Sequence, residues 1–242
     1  MTTAPVVETR RERARTATIE EIKATALTIM REEGTTDARF TDIARLMGMT
    51  PPALYRYFAD RDELLTALIA DAYDDLGRKV AESRDSVPER DIGSRWVAAA
   101  QAYRQWALSE PQQFALIFGL PVPGYVAPEE GPTTEAASRA LAQLSSLFVD
   151  ALQRGKLRKP ILRDYDPTVD LCAHGKNDEL GLVIPTDSFQ AMLHAWAMLH
   201  GFTSLEAYGH LDWMTPPARD ALFLSQVALA AKAAGLPAPL TA

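Results

Sequence analysis

The chain has 242 residues, 47% of them hydrophobic, and a net charge of −7. That composition suits a folded protein with a real core and excludes a disordered chain. One cysteine, Cys172, excludes an internal disulfide, and no run of ~18 apolar residues is present to cross a membrane.

Residues 1–15 lack apolar periodicity and set Arg10, Arg11, Arg13 and Arg15 against only Glu8 and Glu12, which predicts a flexible basic arm. No apolar run follows, so no signal peptide and a cytoplasmic protein are expected. Charge is uneven: residues 1–70 hold 10 Lys+Arg and 11 Asp+Glu, whereas residues 71–242 hold 15 and 21. The acidity therefore lies mostly in the larger C-terminal part. A basic arm ahead of a nearly neutral segment can meet phosphates, because the local field counts more than the total. A solvated tail is the plainer alternative.

Thr18 with Glu21 reads as a capping box opening a helix, with Ile19, Ile22, Ala26 and Ile29 on one face and Gly34 at its end. The next stretch, FTDIARLMGMTPPALYRYF over residues 40–58, holds two short helical patterns around Gly48. Thr41 is placed to cap the first and Thr50 the second, where Pro51 sits at a position whose missing N–H costs nothing. Such a pair is a helix-turn-helix pattern, with Thr50, Pro51, Ala53, Arg56 and Tyr57 on the face that enters a DNA major groove. Two helices of an ordinary all-α core fit the same pattern. Asp60 with Glu63 then caps a longer helix carrying Leu64, Leu65, Leu68, Ala72 and Leu76.

Residues 83–92, with Pro88, read as a linker. Trp96, Ala99, Ala100, Tyr103 and Trp106 mark a helix ending near Ser109, and Phe114, Ile117 and Phe118 mark a short one from Pro111 to Gly119. Residues 121–132 are a Pro/Gly loop, and Thr134 to Arg154 is a helix. Residues 156–185 are the least legible. They open with Lys156, Arg158, Lys159 and Arg163, have a predicted helix near Pro167–Ala173, and look irregular from His174 to Pro185. Two helices close the chain, from about Asp187 to Tyr208 and from Thr215 to about Ala234. The fold class is thus all-α, with about nine helices. Ala191, Ala195, Ala221, Ser225 and Ala228 suit either a two-fold dimer through the last two helices or packing inside one chain.

The segment from Ile22 to Leu65, with its core FTDIARLMGMTPPALYRYFADRDELL, resembles the N-terminal domain of TetR-family transcriptional repressors. The resemblance implies a DNA-binding domain over 16–80 and an effector-binding and dimerisation domain over 81–242. It implies that Thr41 contacts phosphate, that Thr50, Pro51, Pro52 and Ala53 face bases, that Tyr55 and Tyr57 contact phosphate with their phenols, and that Arg61 is a phosphate anchor. The base-facing set is unusually apolar, so readout is expected to lean on thymine methyls, Arg56 and DNA shape. Pro52 also disfavours the α region at Pro51, which predicts a distorted first turn. Trp196, His200 and Gly201 match a Trp-x-x-x-His-Gly motif of some family members.

The family implies a homodimer on a palindromic double-stranded DNA operator, released by a small-molecule effector. Trp96, Tyr103, Trp106, Phe114, Phe118, Phe148, Trp196 and His200 are the candidates to line an apolar pocket, with core packing the plainer reading of any one. No Gly-rich phosphate loop, His-Glu-x-x-His or nucleophile elbow points to an enzyme, and no cofactor is called for. Cys172 and His174, with Asp178 and Glu179, offer a sparse metal- or redox-sensing set, against a buried free cysteine.

Overall fold

The structure, a computed structural model, describes residues 9–128, 130–181 and 183–240. Among these residues it contains ten α-helices and no strand. They are α1 (Arg10–Glu33), α2 (Phe40–Leu46), α3 (Pro51–Leu54), α4 (Arg61–Asp85) and α5 (Ile92–Ser109). Then follow α6 (Pro111–Phe118), α7 (Pro132–Gln153), α8 (Pro167–Leu180), α9 (Thr186–Ala207) and α10 (Pro216–Ala233). No described helix is long and apolar enough to cross a membrane.

The chain divides into two units, and the division is not the expected one. The first unit comprises residues up to Tyr73 together with Glu110–Ala136; the second comprises Asp74–Ser109 and residues from Ala137 onward. Helix α6 and the loop after it thus belong with the helix-turn-helix, not with the C-terminal helices. Apolar side chains cause this: Leu116 and Val122 are buried in the same cluster as Ile22, Ala26, Ile43, Leu54, Phe58, Leu64 and Leu68. Tyr73 donates to the Ile117 carbonyl at 3.2 Å, and the Thr66 and Tyr125 hydroxyls are 3.0 Å apart. A boundary near residue 80 misses this, because sequence proximity does not report which core a short amphipathic helix joins.

Within the first unit, α1 starts earlier than expected. Thr9, not Thr18, is the N-cap: its hydroxyl accepts from the Glu12 N–H at 3.2 Å, and Glu12 accepts from the Thr9 N–H at 2.7 Å. Thr18 lies mid-helix with its hydroxyl donating to the Ala14 carbonyl. The Thr-x-x-Glu pattern occurs twice, and the upstream copy starts the helix, so Arg10 to Arg15 are helical rather than a flexible arm. Residues 1–8 lie outside the described residues. After α2, Gly48 takes φ 63°, which lets the Met49 N–H return to the Ala44 carbonyl at 2.8 Å and the Gly48 N–H to Arg45 at 3.3 Å.

In the second unit, α9 and α10 pack on each other and on α5. The Trp96 indole N–H donates to the Val227 carbonyl at 3.0 Å. Arg104 on α5 forks onto Glu206 of α9 at 2.5 and 2.6 Å and reaches Asp220 of α10 at 2.8 Å. Helix α8 runs to Leu180, through the stretch expected to be irregular. Asp166 caps its start by accepting from the Thr168 N–H, and Gly181 at φ 62° ends it. Residues 157–161 lie against the end of α10, with the Arg158 and Ile161 N–H groups donating to the Gly235 and Ala233 carbonyls at 2.9 Å.

Candidate functional site

The second helix of the helix-turn-helix pair is a single α turn. Only Pro51–Leu54 is α-helical; the chain continues through Tyr55–Tyr57 as a tighter turn, with the Tyr57 N–H donating to Leu54 at 2.8 Å. The expected cap at Thr50 is only half present. Thr50 is the N-cap residue, but its hydroxyl makes no capping bond. Pro51 and Pro52 have no N–H to give, and the Ala53 N–H goes to the Thr50 carbonyl at 2.8 Å. The exposed hydroxyl is left for another acceptor or donor. Thr41 does not cap α2 either: Arg39 is its N-cap, and Thr41 lies exposed in the first turn.

Of the expected base-facing residues, Thr50, Pro51, Pro52 and Arg56 are exposed and Ala53 is half-buried. Tyr55 is 57% exposed, its ring 5.2 Å from that of Phe40. Tyr57 is half-buried against the core, with the Arg15 guanidinium 5.3 Å from its ring centre. Arg15 also donates to the Arg56 carbonyl at 2.7 Å. Arg61 opens α4, but its fork is engaged: Nε donates to Asp37 at 2.8 Å, and a terminal nitrogen lies 3.5 Å from the Pro123 carbonyl. Asp60 accepts from the Glu63 N–H at 2.8 Å as expected, whereas Glu63 returns to the Ala59 N–H, one residue before the usual partner.

The second unit holds a cavity of about 540 Å³. Helix α5 supplies Trp96, α7 supplies Leu144 and Phe148, and α9 supplies Phe189, Met192 and Trp196, while Cys172 and Asn177 come from α8. Two of its polar side chains are matched within the protein, whereas the buried Trp196 indole N–H has no hydrogen-bond partner among the described residues. Asn177 both donates to the Ile184 carbonyl at 2.9 Å and accepts from its N–H at 3.1 Å, and Ser145 turns to the Ala142 carbonyl. What remains is mostly apolar and aromatic wall.

Of the eight pocket candidates, Trp96, Phe148 and Trp196 line this cavity. The other five are not among the residues lining it. Trp106 is buried with its N–H on Asp75 at 2.8 Å, and Phe114 and Phe118 pack on each other, 5.4 Å between ring centres, in the first unit. Tyr103 and His200 are not among the lining residues. The Tyr103 hydroxyl sits 2.8 Å from His200 Nδ1, and the Trp196 indole lies face-on to the His200 ring. His200 is half-buried, and that burial lowers its pKa. The motif thus joins a cavity-wall residue to a hydrogen-bonded histidine behind it. The helical spacing predicts inward faces of Ala137, Leu141, Leu144, Phe148 and Leu152 on α7 and of Phe189, Leu193, Trp196 and Leu199 on α9, and of these Leu141, Leu144, Phe148, Phe189, Leu193 and Trp196 line the cavity. Nothing in their spacing separates a cavity wall from a filled core.

Cys172 is exposed rather than buried, and it lines the cavity. His174 lies two residues along the same helix, about 200° around it, and its Nδ1 pairs with the Asp170 carbonyl at 2.8 Å. Helix α8 therefore separates the two expected metal ligands. Among the described residues no group of three or more His, Cys, Asp or Glu side chains is arranged to hold an ion.

A helix-turn-helix unit joined to an all-α unit with an apolar cavity defines a DNA-binding regulator. A family model described as bacterial regulatory proteins, tetR family, matches residues 22–68, and one described as Tetracyclin repressor-like, C-terminal domain, matches residues 96–230. HTH-type transcriptional regulators of Mycobacterium bovis and Mycobacterium tuberculosis are each 33% identical over 184 residues, covering 72% of this chain and 75% of the relative. The crystal structure of the regulatory protein SCO4313 superposes with a TM-score of 0.69 at 34% identity, covering 92% of this chain and 98% of that one. RolR, solved with its ligand resorcinol, shares the fold at a TM-score of 0.50 and 15% identity, covering 95% of this chain and 99% of its own. The chain belongs to the TetR family of transcriptional regulators. It is a DNA-binding protein and not an enzyme.

Proposed function

We propose that the chain is a ligand-responsive repressor. It binds a palindromic operator as a homodimer through α9 and α10 and is released by a small molecule seated among α5, α7, α8 and α9. The cavity carries this reading. About 540 Å³ of mostly apolar, aromatic-walled space is the size and character of a small-molecule site, not of a packing defect. RolR, of the same fold, carries the ligand resorcinol.

Support for the dimer comes from α10. Ala221, Leu222, Ser225, Ala228 and Leu229 are all exposed and recur on one helical face, with Leu222 45% and Leu229 51% accessible. Ala191 and Ala195 of α9 are instead buried within the chain, so the small residues divide between the two roles considered for them. Two recognition elements in a two-fold dimer would meet successive major grooves ~34–36 Å apart. Readout by Thr50, Pro51, Pro52, Ala53 and Arg56 would rest on the free hydroxyl, thymine methyls and DNA shape, with Thr41, Tyr55, Tyr57 and Arg61 on phosphates. A coupling of ~1–3 kcal/mol between cavity and DNA face would weaken operator binding some 5- to 150-fold.

The test is a mobility-shift titration on DNA from upstream of the protein's own gene. Binding by the wild type, lost in Tyr55→Ala plus Arg61→Ala, supports the reading; no binding, or binding unchanged by those substitutions, removes it.

A further inference from the structure

The inward face of α1 changes chemistry along its length. Ile22, Ala26, Ile29 and Met30 are buried against the helix-turn-helix, and Ile19 packs at the edge of the same cluster. Four residues earlier on that face is Arg15, and four earlier again is Arg11. Arg15 is where the helix leaves the core, and it is fastened beside the recognition turn by the Arg56 carbonyl at 2.7 Å and the Tyr57 ring at 5.3 Å. Arg11 therefore lies ~6 Å further along the axis, beyond that turn. The Thr9–Glu12 capping box keeps this end helical. Arg11 is exposed, and no ion pair or hydrogen bond engages it among the described residues. Arg13 lies about 200° around the helix from Arg11 and faces away.

We propose that Arg11 is a second DNA contact of this protein, binding a phosphate of double-stranded DNA beside the bases faced by α3. The surface is continuous with the recognition turn through Arg15, its charge is opposite to that of the duplex, and the rigid helix spares Arg11 the ordering cost a flexible arm would meet. The contact orients and strengthens binding without reading sequence. This rests on the DNA-facing assignment of α3 made above.

Full-length wild type, Arg11→Ala and Arg13→Ala are titrated onto a mixed-sequence duplex of about 30 base pairs by fluorescence anisotropy at several salt concentrations. The expected result is a log K against log [salt] slope shallower by about 0.9 in Arg11→Ala and unchanged in Arg13→Ala. Equal slopes for wild type and Arg11→Ala overturn the inference while leaving the operator reading standing, and equal losses in both variants overturn the assigned face. Absence of wild-type binding to this duplex also overturns the inference, whereas the operator reading stands or falls on the upstream-DNA titration. Circular dichroism checks that α1 stays helical in each variant.

Discussion

The Trp196 indole is stacked on the His200 imidazole, with 5.1 Å between ring centres and 9° between planes. His200 Nδ1 is 2.8 Å from the Tyr103 hydroxyl and Nε2 is 3.3 Å from Ser204 Oγ, a set the neutral ring satisfies by accepting from one and donating to the other. The motif thus holds one cavity wall in a fixed orientation from behind.

Burial lowers the His200 pKa from its ordinary 6.5. The unfolded chain then binds the proton more readily than the folded one, so stability is full above pH 6.5 and falls as pH drops toward the folded value. Thermal melts from pH 8 to 5 should show a loss that is smaller in His200→Gln. An equal loss in the two proteins contradicts this origin.

Glu206 is only 7% exposed and anchors Arg104 from α5. Removing Glu206 takes away two of Arg104's hydrogen bonds and leaves it only the exposed Asp220, so Glu206→Ala should destabilise the second unit by about 1–3 kcal/mol in urea unfolding. Asp212→Ala, removing an exposed partner of Arg219, should change stability by under about 1 kcal/mol.

Arg61 and Asp37 are both partly exposed, so their ion pair contributes little to stability. It does hold the guanidinium away from other acceptors. Asp37→Asn should leave the melting temperature nearly unchanged, tighten DNA binding and steepen its salt dependence. Weaker binding in this variant would mean that Asp37 positions Arg61 productively.

Ala142 is a small residue on the cavity wall. Ala142→Phe should fill the space while keeping DNA affinity, and should abolish the thermal shift given by any compound that stabilises the wild type. A retained ligand response would place the effector elsewhere.

A fragment ending at residue 85 lacks Leu116, Val122 and Tyr125, which pack against α1 to α4. It should lose the sharp melting transition of the full chain, although it contains every residue of the helix-turn-helix.

Periodicity made most helices legible, because buried faces repeat every three to four residues whatever they pack against. The errors fall where two local signals competed or where the answer was not local. Thr9 and Thr18 head the same capping pattern, and only the polar-faced turns between them decide which one starts α1. The stretch after Ala173 looks broken by Gly175 and Asn177, yet Asp166 and Gly181 cap a continuous helix around them. Phe114 and Phe118 have the aromatic character of a pocket, but their partners are set by which core α6 joins. The cavity depends on what is missing between helices, and sequence records only what is present.

Pro51 and Pro52 carry a consequence for how this protein can change over time. By withholding their N–H groups they release the Thr50 side chain from its usual duty in holding up the helix. Most recognition residues serve both architecture and readout, so altering one risks the other. Here the two obligations are separated at a single position. On the DNA-facing assignment proposed for α3, replacement of Thr50 would alter which DNA is preferred at little expense to folding, making it a site where a regulator can drift toward new targets.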